Sequence, residues 1–407
     1  MTSVVDDRPL IRQTGWAYWP IAFLARLPFA MMIVGVITDV ATETGSVALA
    51  GLASAALGVG NVIAGPIIGD LVDRFGQRRV VLPLGIVNGL LLIAFVLVVR
   101  LAPAEALILV AGFAIGATSA QASAMSRSRL MGIIERRMGP ARRARSYSGM
   151  MSYESAADEI AFVIGPFLVG ALASYAASWL PLAVAGALSL VVVSVFALHP
   201  TATISAIAED RNARVPITAL LTPRILVVVA GTFAVGMFFG ATLTSVTAFA
   251  QEHGDGSEGG LLYGFMGLGS GVLALAVALL PVRFRLSWRW LLFAAMLVAA
   301  SVGYAVARDF VGVTVALLIL GLGVGPALVT LFSLAGQRAP KGRVATVMTS
   351  VGGALTLAQA LTSAVTGGIA EAHSAATAML VPLVATSLLL VLGVLNLLLS
   401  RRRGPAE

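Results

Sequence analysis

IAGPIIGDLVDRFGQRRVVLPLGIVNGLLLIAFVLVV, residues 63–99, contains the decisive pattern. An apolar run ends near Gly69, a short charged stretch follows to Arg79, and a second apolar run begins at once. A helix crosses a bilayer core with roughly 20 apolar residues. The two flanks therefore read as antiparallel spans joined by a tight, charged turn.

The same alternation fills the chain. Of its 407 residues, 58% are hydrophobic and 11% are charged, against roughly 25% charged in soluble domains. So much apolar surface calls for lipid as the solvent. Runs of spanning length fall at 16–38, 47–69, 79–100, 105–127, 148–173 and 178–198, then at 224–249, 259–281, 289–307, 310–332, 344–370 and 375–399. The polar stretch 199–223, with Glu209, Asp210, Arg211 and Arg214, separates two sets of six. The expected domains are a bundle over 1–198, a cytoplasmic central loop over 199–223 and a second bundle over 224–407. The first run has no small-residue cleavage site after it and reads as an uncleaved helix.

With the two termini and alternate loops on one side, every Lys and Arg lies there except Arg26, Arg100 and Arg308. Such a bias predicts cytoplasmic termini and an even number of spans. It also accounts for the net charge of +8 without a nucleic-acid partner. Cysteine is absent, which removes disulfides, thiolate metal sites and cysteine nucleophiles. His199, His253 and His373 are too scattered for a metal site and read as solvated, as do Asp39 and Glu43 in the first outer loop. No phosphate-cradling loop precedes a Lys-Ser or Lys-Thr pair, so nothing points to ATP-driven pumping. No cofactor is implied, and no catalytic constellation suggests an enzyme.

The halves repeat. A shift of 209 sets Gly51, Leu52, Gly58 and Gly60 on Gly260, Leu261, Gly267 and Gly269, Arg74-Phe75 on Arg283-Phe284, and Gly116 on Gly325. A shift of 198 sets Arg145, Met150, Ser152, Ala156 and Gly170 of the fifth run on Arg343, Met348, Ser350, Ala354 and Gly368 of the eleventh. Duplicated halves related by an axis along the membrane normal are a transporter architecture, with the solute site between them near mid-membrane. The fold class is thus an all-α membrane protein of twelve helices in two six-helix pseudo-repeats.

The loop GDLVDRFGQRR, Gly69 to Arg79, resembles that between the second and third helices of the major facilitator superfamily. Gly69, Leu71, Asp73, Arg74, Gly76 and Arg78 match its pattern, and Gln77 stands where a basic residue is usual. Gly76 permits the turn. Asp73 can accept from free amides at another helix's N-terminus or pair with a neighbouring Arg. The resemblance implies a gating loop that latches the halves on the cytoplasmic side; the plainer alternative is a tight turn whose charges set topology. The second copy, VRFRLSWRW, Val282 to Trp290, has lost the glycine and the aspartate. In EIAFVIGPFLVG, Glu159 to Gly170, the residues Gly165, Pro166 and Gly170 resemble the kinked fifth helix of the family's exporters and antiporters. A packing kink reads the same way.

Glu154, Asp158 and Glu159 lie in the fifth run, Asp158 about 16 Å in at 1.5 Å per residue. Glu154 and Asp158 share a face, with Glu159 turned by about 100°. An ionised carboxylate against lipid costs several kcal/mol, so these groups face the interior, pair or bind protons. Arg26, at similar depth in the first helix, is the expected partner. Asp158 is read as the coupling group and Glu159 as the partner of Arg26, roles that could be exchanged; a static salt bridge is the alternative. The resemblance places helices 1, 4, 7 and 10 around a cavity, with Thr242, Thr244, Ser245, Thr247, Thr356, Gln359 and Thr362 as polar candidates. The solute-binding residues are otherwise unassigned.

The expectation is a monomeric carrier of the bacterial inner membrane, working by alternating access. Its partners are a small organic or amphipathic solute, protons and membrane lipid, with proton-coupled export as the favoured mode. An importer or facilitator on the same fold is the nearest alternative. A non-transporting membrane sensor or scaffold is a further one.

Overall fold

The computed structural model describes residues 8–101, 104–204, 216–253, 258–281, 283–340 and 342–401. Residues 205–215 of the central stretch, with Glu209, Asp210, Arg211 and Arg214, lie outside them, as do Val282, Lys341, Arg402 and Arg403. The described residues form twelve helical segments long and apolar enough to span a bilayer. They are α1 (Tyr18–Thr44), α2 (Leu49–Phe75), α3 (Gln77–Leu101), α4 (Glu105–Arg137), α5 (Arg142–Ala173) and α6 (Leu180–Leu198). After the central stretch come α7 (Pro223–His253), α8 (Leu262–Leu279), α9 (Leu286–Val306), α10 (Phe310–Arg338), α11 (Val344–Ala372) and α12 (Ala375–Ser400).

Each segment contains most of the apolar run expected for it, but several outrun it at the arginine-bearing end. Hydropathy marks where lipid stops, whereas a helix continues while its backbone bonds can be made. Three spans are interrupted, α12 by a turn at Met379 and Leu380 between Ala375–Ala378 and Val381–Arg401. In α1, Ala25 and Arg26 form a turn between Tyr18–Leu24 and Leu27–Thr44, where Pro28 supplies no amide donor for a continuous helix. In α4, residues 119–121 are non-helical between Glu105–Thr118 and Ala122–Arg137.

The chain divides into two compact units. The first comprises Met1–Ser146, Ala161–Val215 and Lys341–Gly353; the second comprises Tyr147–Ile160, Pro216–Pro340 and Ala354–Glu407. Thus the first stretch of α11 packs in the first unit and most of the first half of α5 in the second.

Glycines hold the helices together inside each unit. In the first, a Cβ on Gly116 of α4 would fall 1.8 Å from the Leu57 carbonyl of α2, and one on Gly60 2.2 Å from the Phe113 carbonyl. In the second, a Cβ on Gly325 of α10 would fall 2.2 Å from the Ser270 carbonyl of α8, and one on Gly321 2.3 Å from the Met266 carbonyl. Gly116 and Gly325 are repeat equivalents, so the duplication is built into the same helix crossing twice. Such contact is how membrane helices gain packing energy where lipid removes the hydrophobic drive between them.

Candidate functional site

The α2–α3 turn is one residue long. Gly76 has φ +85°, a conformation side chains disfavour, and its amide donates to the Val72 carbonyl at 2.9 Å. The helix thereby ends with Asp73 aimed sideways. Asp73 is buried and accepts from the Ala345 amide at 3.1 Å, the Thr346 amide at 2.9 Å and the Thr346 hydroxyl at 2.8 Å. Those amides open α11, where first-turn N–H groups lack intrahelical acceptors and carry partial positive charge. The helix N-terminus, one of the two partners expected for Asp73, is present in this geometry.

Asp70, to which the sequence assigned no role, makes arginine contacts of its own. It pairs with Arg74 at 2.6 Å, one turn along α2, and with Arg343 just before α11. Gly69 brings α11 close: a Cβ there would lie 2.5 Å from the Thr349 hydroxyl and 2.7 Å from the Thr346 Cα. Leu71 and Arg78 are exposed.

Gln77 turns out to be a connector. Fully buried, it donates to the Met125 carbonyl and the Ser128 hydroxyl, each at 2.8 Å, and accepts from Arg129 Nε at 2.8 Å. Arg129 also donates to the Phe196 carbonyl at 3.0 Å and lies 4.0 Å from the Phe196 ring centroid. A carboxamide both donates and accepts; a basic residue at position 77 would set two cations together. His199, expected to be solvated, is half-buried beside this arginine, and burial and the Arg129 charge hold its imidazole below the usual range.

At the opposite end of the first unit, Asp39 corrects the expectation of a solvated loop residue, while Glu43 is exposed as expected but paired. Both lie in α1. Asp39 is wholly buried and pairs with Arg100 of α3 at 2.9 Å, and Glu43 joins the same guanidinium at 2.7 Å. Ser178 donates to both carboxylates. A buried carboxylate needs this partner set, so Arg100 ties α1, α3 and the α5–α6 turn together.

In α5, Gly165 meets α1, where a Cβ would fall 2.7 Å from Ala30 Cβ. Pro166 sits within the helix, and Gly170 faces open space. The partial signature is therefore a close contact at Gly165 with a missing backbone donor beside it.

The three carboxylates lie in the part of α5 that packs in the second unit, whereas Arg26 lies in the first, so their pairing stands as a proposal. Arg26 is buried at the α1 turn and donates to the Ala22 carbonyl. Glu154 is fully buried and Asp158 partly so. Glu159 is 7% exposed, and its polar neighbours in the second unit are Asp158, the Ser270 hydroxyl of α8 and Tyr263. The Ser270 hydroxyl is itself buried without a full hydrogen bond. Ser270 is the repeat equivalent of Asn61. Arg127 and Arg129 of α4, placed by the sequence with the cytoplasmic loop arginines, are likewise buried, to 1% and 0% exposure.

The second loop copy does something else. Arg289 folds back to donate to the carbonyls of Phe284, at 2.8 Å, and Pro281, at 2.9 Å. It closes its own turn where Asp73 reaches across to α11. Among the polar candidates, Ser245 is committed to the Tyr304 hydroxyl at 2.9 Å, and Thr247 to its own helix. Thr242 is buried with an unpartnered hydroxyl, Thr356 and Thr362 are buried, and Thr244 and Gln359 are half-buried.

The family model described as Major Facilitator Superfamily matches residues 18–363. The chain belongs to the Major Facilitator Superfamily. Its members are transporters, and this one is a multi-pass membrane protein with twelve spans and the fold of a secondary transporter. A bacterial homologue of the iron transporter ferroportin, in an outward-facing state, superposes with TM-score 0.73 at 15% identity, over 95% of this chain and 98% of that one. The transporter FucP in the outward conformation gives 0.67 at 16% identity, over 93% and 98%. The human organic anion transporter MFSD10 gives 0.66 at 16% identity, over 96% and 100%. These likenesses concern the fold alone. No curated protein matches the sequence.

Within this superfamily fold, the sequence pattern located the charged α2–α3 turn by its spacing. It gave no signal for Arg127 or Arg129 as buried groups, because an arginine in a basic loop and one in a helix interior look alike until the helix is extended to Arg137.

Proposed function

We propose that this superfamily member exports a small organic solute in exchange for protons, by alternating access between its two six-helix halves. The observation that carries the reading is Glu159. It is a buried carboxyl deep in α5 whose polar neighbours in its own unit are an acid and two hydroxyls. Such a group binds or releases a proton when its surroundings change. The geometry therefore favours exchanging the two expected roles: Glu159 is the coupling group, and Asp158, with Glu154, the partner of Arg26. A solute and a proton that exclude one another at this carboxyl give antiport.

The gating loop supports a two-state cycle. Asp73, Asp70 and Arg343 hold α2 and the start of α11 in one arrangement, and transport requires that hold to be made and broken in turn. The termini and the Gly69–Arg79 loop face the cytoplasm of a bacterial cell on the arginine bias, and the carrier works as a monomer.

The test uses inverted vesicles with an imposed pH gradient and a panel of amphipathic drugs, sugars and amino acids. Glu159→Gln is expected to abolish gradient-driven uptake while counterflow exchange of the same solute persists. Gradient-driven uptake at the wild-type rate in Glu159→Gln, Asp158→Asn and Glu154→Gln alike would refute proton coupling and leave a facilitator.

A further inference from the structure

The break in α4 is a built feature. Two of its freed carbonyls are taken up: Asn88 of α3 donates to the Ile115 carbonyl at 2.8 Å and the Ser119 amide to Gly116 at 3.2 Å, while the Thr118 hydroxyl donates back to Ala114 at 2.8 Å. These bonds lower the cost of leaving the helix within the membrane.

The break aims two side chains at α2. The Ser119 hydroxyl donates to Asn61 Oδ1 at 2.9 Å, and Gln121 Nε2 donates to the same oxygen at 2.8 Å. The other end of the Gln121 carboxamide reaches α11. A Cβ on Gly65 of α2 would lie 2.9 Å from Gln121 Nε2, and a Cβ on Gly352 of α11 would lie 3.3 Å from Gln121 Oε1. The carboxamide is thus wedged between two glycines, one on each helix of the seal. Gly353 faces Val62 at 3.8 Å, and Gly69 faces Thr346 and Thr349 one turn beyond Gly65. All of these residues belong to the first unit.

We propose that Gln121 is a positioning residue for transport, whose carboxamide sets how firmly the first stretch of α11 is held on α2 and so ties that hold to the break in α4. A change of backbone angles at residues 119–121 withdraws the wedge and loosens the seal several turns from Asp73. One feature of this arrangement favours release. Asn61 Nδ2 is buried without a hydrogen-bond partner, a deficit that another state of the cycle can relieve. The inference rests on the gating-loop reading above and adds a second point of control to it.

The absence of cysteine makes the test direct. Thr349 is fully buried and its hydroxyl bonds only carbonyls of its own helix, so Thr349→Cys is a mild reporter of seal opening. Thr386→Cys, buried between α9 and α12 beside Ser301, reports general loosening. Maleimide labelling rates of the purified full chain are compared in each background. Gln121→Ala and Gln121→Glu remove the Gln121 donor to Asn61, and Gly65→Ala displaces the carboxamide while meeting backbone only at an ordinary contact, 3.7 Å from the Thr349 carbonyl. Each is expected to raise labelling at position 349 by about fivefold, the effect of one buried hydrogen bond, with position 386 unchanged. Asp73→Asn should raise it further. If Asp73→Asn opens the seal while the three other variants label at the parent rate, the Gln121 inference is overturned and the gating loop stands. If Asp73→Asn also has no effect, the gating-loop reading falls. Equal increases at 349 and 386 would mean general destabilisation, and would likewise overturn the inference.

Discussion

Asp73→Asn alters the charge of the proposed latch with almost no change of shape. Asp73 Oδ2 accepts from the Thr346 amide and hydroxyl, and Oδ1 from the Ala345 amide. Asparagine keeps one oxygen and presents an NH2 group to the remaining donor. The loss is one charge-assisted hydrogen bond, about 1.5–3 kcal/mol, plus the attraction of a charge for a helix N-terminus, about 0.3–1 kcal/mol. Together these make about 2–4 kcal/mol, or roughly 30- to 1000-fold in the closing equilibrium. Hydrogen exchange reads it directly, because first-turn amides of an uncapped helix have no intrahelical acceptor. Protection of the Ala345 and Thr346 amides, followed by mass spectrometry on a peptide covering 343–350, is expected to fall by that factor. Thr346→Val, which removes only the hydroxyl donor, should lower it roughly tenfold. Transport should fall in Asp73→Asn at normal membrane abundance. Unchanged protection at 345 and 346 in folded Asp73→Asn protein would refute the capping argument. Wild-type transport would leave the loop with a topological role alone.

Three further outcomes are expected. Gln77→Arg, although closer to the family pattern, sets a second guanidinium against Arg129 and should lower stability by about 3 kcal/mol, measured as thermal unfolding in detergent; an unchanged midpoint would contradict the account of Gln77. Asp39→Asn should destabilise by about 1–2 kcal/mol, because Glu43 still holds the partly exposed Arg100, and Arg100→Gln should cost more by stranding buried Asp39; the same unfolding assay ranks them, and the reverse order would remove Asp39 as the buried anchor. A reporter active only in the cytoplasm should be active at Ile204 and at the C-terminus and silent at Gly254; activity at Gly254 would overturn the helix count.

The sequence by itself determined the twelve spans, the arginine asymmetry and the duplication. Each depends on local quantities: the transfer cost of some 20 consecutive residues, the bias of short basic loops and spacing between identical residues. The Gly69–Arg79 loop was legible for the same reason, since a one-residue turn needs Gly76 whatever it packs against. What the side chains touch was not legible. Asp73 meets amides more than 270 positions away, and nothing near residue 73 encodes which helix will start beside it. Asp39 looked like a loop residue because hydropathy ends α1 where charge begins, while the backbone continues to Thr44 once Arg100 arrives as a counter-ion. The α4 break is hidden in the sequence because SAQ, residues 119–121, contains no proline or glycine. It exists because Asn61, Asn88 and Gly116 supply the partners and the room that a broken helix needs, and those come from packing. Tertiary structure decided the pairings, since a buried polar group is defined by the neighbour that satisfies it and chain separation sets no limit on that neighbour.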